Sequence, residues 1–99
     1  MNVKITARKF KAHDSLKEYV KDEVSSLERF NDEILDVDVI LSFQNQKDSS
    51  KIAELIVKVP GQLLKAEGTS EDFKVSVANA VEKMRRQLKK LKTKRIPHI

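Results

Sequence analysis

Residues 51–68 read KIAELIVKVPGQLLKAEG, and this stretch decides the fold. Its first nine residues are rich in β-branched side chains and are strongly strand-like. Pro60-Gly61 follows as a turn, proline presetting one backbone angle and glycine accepting the positive one. Residues 62–68 return as the last strand. Upstream, VDVILSF at 37–43 alternates and places Val37, Val39, Leu41 and Phe43 on one face. The polar run QNQKDSS at 44–50 reads as the loop joining it to residue 51, and VKITA at 3–7 alternates as a first strand.

Between the first two strands, apolar residues recur at Leu16, Tyr19, Val20, Val24, Leu27 and Phe30, the spacing of a helix with one buried face. Asp14 or Ser15 is the expected cap, and Ser15 with Glu18 has the form of a capping box. The final helix, 71–94, is expected to open at Thr69 or Ser70, with Glu71 and Asp72 where the helix dipole favours negative charge. Its apolar residues Phe73, Val77, Val81, Met84, Leu88 and Leu91 form a heptad-like stripe. That stripe is too short for a coiled coil and reads as the seam by which a helix lies on a sheet. The order is β-α-β-β-β-α, an α+β fold in which two helices cover one face of a four-stranded sheet. Ninety-nine residues with no linker or repeat make one domain, 1–99.

Composition removes several function classes. With 35% charged residues, the chain has no run near the roughly 18 apolar residues of a membrane span. It has no cysteine, hence no disulfide, thiolate metal site or thiol nucleophile, as suits a reducing cytoplasm. MNVKITARKF is not a secretory signal. His13 and His98 stand apart, and Asp36 with Asp38 lacks a third partner. Gly61 and Gly68 are the only glycines, too few for a glycine-rich phosphate loop. Neither catalysis nor a metal or cofactor is expected.

The charge distribution points the other way, to a partner. Residues 82–95 hold eight basic residues and one acid, a net +7 within a chain of +5. Residues 1–11 carry Lys4, Arg8, Lys9 and Lys11 with no acid, whereas 12–38 hold nine acids and three bases. Such polarity suits nucleic acid. A helix over 71–94 is about 36 Å long against about 23 Å for seven-residue strands, so its basic half is expected to overhang the sheet. Lys83, Arg86, Lys90 and Lys94 form a stripe on one flank of the seam, and Arg85, Lys89 and Lys92 form another on the opposite flank. Cations at this spacing repel one another, which polyphosphate compensates. No Tyr or Trp interleaves in this helix, so backbone and shape are the expected readout. Three other readings compete. A membrane-surface helix is disfavoured because the apolar face is needed by the sheet. The others are a module self-associating through the Phe73–Leu91 stripe and a generic RNA-binding protein.

The segments NVKITARKF, SLKEYVKDEVSSLERF, VDVILSF and above all AEGTSEDFKVSVANAVEKMRRQLKKLKTK resemble, in order and length, the ribosome hibernation-promoting factor family, also called ribosomal subunit interface proteins. The resemblance implies the same β-α-β-β-β-α fold, like a double-stranded-RNA-binding domain with an added first strand. It implies binding to the small ribosomal subunit and its rRNA where messenger and transfer RNA sit, at the aminoacyl and peptidyl sites. Translation is then blocked and idle ribosomes are preserved. The family's basic residues on the last helix carry over to Lys83, Arg86 and Lys90; Lys94 extends them by spacing alone. On the first helix the family's basic positions fall on Glu23, Ser26 and Arg29, of which only Arg29 matches. Lys74 follows Phe73 where the family often has an aromatic, and with Arg8, Lys9 and Lys11 it is expected to supply replacement phosphate contacts. Because the chain stops at Ile99, the expectation is a short form, monomeric when free and dependent on a second factor to pair ribosomes.

Overall fold

The computed structural model describes residues 1–43 and 50–95, with side chains as far as Leu91. Its elements are β1 (Asn2–Ala7), α1 (Asp14–Ser25), a 3-10 turn (Ser26–Arg29), β2 (Asp36–Phe43), β3 (Lys51–Val59), β4 (Gln62–Ser70) and α2 (Phe73–Arg95). The expected order and α+β class are both found. The loop expected at 44–50 lies, apart from Ser50, outside the described residues, as does His98. Strands lie in the order β1-β2-β3-β4, the first pair parallel and the others antiparallel. A parallel pair needs a crossover between its strands, and α1 provides it.

Alternation in the strands sorts the faces. Val37, Val39 and Leu41 of β2 and Ala53, Leu55 and Val57 of β3 meet Val20, Val24, Leu27, Val77, Met84 and Leu88 in one core. The opposite sheet face carries rows of mixed character, such as Lys4, Asp38, Ile56 and Lys65. Val59 pairs with Gln62 across the Pro60-Gly61 turn, where Gly61 has φ 87°. A Cβ on Gly61 meets nothing within 4 Å. Gly61→Ala is therefore expected to cost only left-handed backbone strain, about 1 kcal/mol. That lowers the thermal midpoint by about 4–8 °C in a domain of this size; an unchanged melt would show that the turn needs no left-handed residue.

Several boundaries differ from expectation, each for a local reason. α1 is entered from His13, whose carbonyl accepts from Leu16 N–H and Lys17 N–H and which makes no side-chain cap. Ser15 thus lies inside the helix, out of place for a capping box with Glu18. At the other end, Ser26 Oγ donates to the Glu23 carbonyl at 2.6 Å, and the chain tightens into the 3-10 turn rather than running on to Phe30. Thr69 and Ser70 belong to β4, and Asp72 caps α2 by accepting from Lys74 N–H at 2.8 Å. The buried Ser76 hydroxyl donates to the Lys51 carbonyl at 2.6 Å and lies 3.0 Å from Ser70 Oγ, tying the start of α2 to β3 and β4.

The expected overhang is also corrected. β3 and β4 have nine residues each, Leu88 is fully buried and Leu91 packs against the core. The sheet therefore underlies α2 at least as far as Leu91, and the cations at 83–90 lie on the outer surface of a packed helix rather than on a protruding rod.

Candidate nucleic-acid interface

The wheel positions on α2 translate into two flanks with different neighbours. Toward β4, Lys83 Nζ donates to the Glu67 carbonyl at 2.8 Å and Gln87 Nε2 to the Lys65 carbonyl at 2.6 Å. These two side chains cover the outward carbonyls of an edge strand that would otherwise invite pairing with another chain. Lys83 remains exposed, and its ammonium has two further protons to donate. Arg86, with 71% of its side chain exposed, and the exposed Lys90 continue the same side outward. The side chain of Lys94 lies outside the described residues, as does that of Lys92.

Toward α1 the neighbours are aromatic. The Arg85 guanidinium and Lys89 Nζ each lie 5.6 Å from the centre of the Phe30 ring, and Lys74 Nζ lies 5.7 Å from that of Tyr19. Arg29, exposed at the end of the 3-10 turn, adjoins Phe30. Cations at such rings are attracted by the π quadrupole. No Tyr or Trp lies on α2 itself; the rings beside its cations come from α1 and the turn after it. Periodicity gives Tyr19 and Phe30 as apolar face residues, so only packing shows them beside cations. Of the family's basic positions before Arg29, Glu23 is half-buried and Ser26 is occupied with a backbone carbonyl. Burial raises the Tyr19 phenol above its ordinary pKa, with Glu23 and Asp72 adding to the effect.

One carboxylate lies among the cations of α2. Glu82 accepts from Arg85 Nε at 2.9 Å and from a second Arg85 nitrogen, and its carboxylate is 3.5 Å from Arg86 Nε. The hydrogen bond from Arg85, helped by both guanidinium charges, holds the Glu82 carboxyl below the usual carboxylate range.

The remaining candidates gather elsewhere. Lys9 adopts φ 64°, and Phe10 stacks on Phe73 at 4.9 Å, with Phe43 at 5.3 and 5.5 Å from the two rings. This aromatic cluster seats the exposed Arg8, Lys9 and Lys11 at the end of the sheet where α2 begins. Lys51 is there too, donating to the Glu71 carbonyl, and Lys74. From Lys74 to Lys90 the helix rises about 24 Å. The sequence-predicted residues thus form two basic poles, one of Arg8, Lys9, Lys11 and Lys74 and the other of Lys83, Arg86 and Lys90, with Arg29, Arg85 and Lys89 on the α1 side of the second. Among the described residues no group of three or more metal-binding side chains occurs, and no helix is long and apolar enough to cross a membrane.

Known proteins share this framework. The chain is 32% identical over 96 residues to the ribosome hibernation promoting factor of Azotobacter vinelandii, covering 97% of this chain and 87% of that one. It is 28% identical over 92 residues to the ribosome hibernation promotion factor of Deinococcus radiodurans and 29% over 94 residues to that of Bacillus subtilis. Those matches cover 91% and 95% of this chain but only 48% and 50% of the relatives, so the chain spans about half their length. The crystal structure of the Thermus thermophilus Protein Y N-terminal domain superposes with a TM-score of 0.81 at 28% identity, covering 92% of this chain and 99% of that one. A ribosomal subunit interface protein from Coxiella burnetii gives 0.85 at 25% identity, with coverage of 94% and 99%. With residues 3–96 matching its model, the chain belongs to the family described as Sigma 54 modulation protein / S30EA ribosomal protein.

Proposed function

We propose that this protein is a non-catalytic translation inhibitor that docks the basic outer surface of α2 on the RNA of the small ribosomal subunit. It occupies the channel of messenger and transfer RNA, at the aminoacyl and peptidyl sites, and keeps idle ribosomes inactive. The observation that carries this reading is the exposure of Lys83, Arg86 and Lys90 together on one side of a helix whose apolar face is fully engaged. The names of the relatives support the ribosome as the partner. In this reading residues 1–99 act as one ribosome-binding domain, monomeric when free, in the cytoplasm, and pairing of ribosomes falls to a second factor.

Self-association through the Phe73–Leu91 stripe is disfavoured, because Phe73, Val77, Met84 and Leu88 are buried against the chain's own sheet.

Sedimentation of the purified protein with small subunits across a salt series tests the proposal. With three or more phosphates neutralised, log K is expected to fall against log[salt] with a slope of about −2 to −3 or steeper. Bound protein should also exclude messenger and transfer RNA. A salt-insensitive interaction, or equal affinity for a naked RNA duplex, would defeat the proposal.

A further inference from the structure

We infer that Glu82 competes, in the free protein, with an RNA phosphate for Arg86, and so sets the threshold a polyanion must pass to engage α2. The inference rests on the proposed function and assigns to that surface a residue that limits its affinity. Glu82 is the only acid between Phe73 and Arg95. Its contact with Arg85 is the two-pronged carboxylate–guanidinium geometry by which arginine also holds phosphate.

The two arginines on Glu82 are not equivalent. Arg85 makes two bonds, lies at the Phe30 ring and is only 32% exposed in its side chain. It stays in place. Arg86 touches the carboxylate once, at 3.5 Å, and is 71% exposed, so turning it to an incoming phosphate strands no buried group. Glu82 also lines, with Glu67, Thr69, Asn79, Lys83 and Arg86, an open groove of about 510 Å³ between α2 and the edge of β4. A phosphate entering that groove meets two cations and the carboxylate that already engages one of them.

The resulting penalty applies to every polyanion but matters most for weak ones. A ligand near half-saturation loses occupancy, whereas one bound through many phosphates remains saturated. Glu82 thereby keeps the basic surface from collecting stray nucleic acid.

Glu82→Gln removes the charge while keeping the size and one acceptor oxygen for Arg85. Binding of the variant to small ribosomal subunits and to a plain RNA duplex, measured across a salt series, is expected to be several-fold tighter than wild type for both. The slope of log K against log[salt] should stay near that of wild type, because Arg86 reaches a phosphate in both proteins. Adding Arg86→Gln should cancel the gain in affinity and make the slope shallower by about 1. Binding by Glu82→Gln that is unchanged or weaker, with an unchanged circular dichroism spectrum, would overturn the inference, as would a gain that survives Arg86→Gln. Failure of the wild-type protein to bind subunits would count against the proposed function alone, since the duplex arm still decides the role of Glu82.

Discussion

Replacing Lys83, Arg86 and Lys90 together by Glu is expected to abolish co-sedimentation with small ribosomal subunits while leaving the circular dichroism spectrum unchanged. Each replacement removes one phosphate contact and places an anion where RNA would lie, so the salt slope of any residual binding should fall by about 3. The fold survives because none of the three side chains is buried. The one bond lost, from Lys83 Nζ to the Glu67 carbonyl, frees an acceptor at an exposed sheet edge, where water replaces it. A matched control separates position from net charge. Lys4, Lys58 and Lys65 lie on the open face of the sheet, away from the helices. Reversing those three changes the charge equally and should leave most of the binding intact. Equal losses in the two triple variants would show that bulk charge, rather than the α2 surface, holds the ribosome.

Gly68→Ala is expected to be the most damaging small substitution in the chain. A Cβ at Gly68 would stand 2.0 Å from the Ser76 carbonyl oxygen and 2.9 Å from Ala80 N, both backbone atoms of α2. No rotamer change relieves that overlap, so the helix itself must retreat from β4. Overpacking of this kind costs about 1–3 kcal/mol and occasionally more, and rigid backbone contact puts Gly68→Ala at about 3 kcal/mol or beyond. The thermal midpoint should fall by roughly 12–24 °C. Retreat would also pull at Lys83 and Gln87, which reach the β4 carbonyls from the same helix, so subunit binding should weaken as well. Gly61→Ala is the internal comparison: its cost comes from φ alone, with open space around it, and its effect should be several times smaller. A Gly68→Ala protein melting within a few degrees of wild type would mean that α2 is not held tightly on β4.

Much of this architecture can be read from local pattern. Alternation in VDVILSF and KIAELIVKV marks the buried face of the central strands, because a strand presents its side chains to two sides in turn. The Phe73–Leu91 stripe orients α2, and once its seam is fixed the flanks carrying Lys83, Arg86 and Lys90 or Arg85 and Lys89 follow from helical geometry. Element ends were less legible. Capping depends on which hydroxyl or carboxylate reaches a backbone group, so His13 rather than Asp14 or Ser15 stands at the cap of α1, and Asp72 rather than Thr69 or Ser70 caps α2. The overhang was shorter than helix length alone implies because α2 stays packed on the core through Leu88 and Leu91.

The sequence by itself determined the order of the elements, the faces they bury and the side of α2 on which cations accumulate, since all three depend on spacing along a single element. Only the tertiary structure decided what those cations face. It put Tyr19 and Phe30 beside Lys74, Arg85 and Lys89, turned Lys83 onto the edge of β4, and set Arg8, Lys9 and Lys11 at the far pole from Lys90. Those relations join residues from different elements, and they arise from the packing of α1, α2 and the sheet rather than from any spacing along the chain.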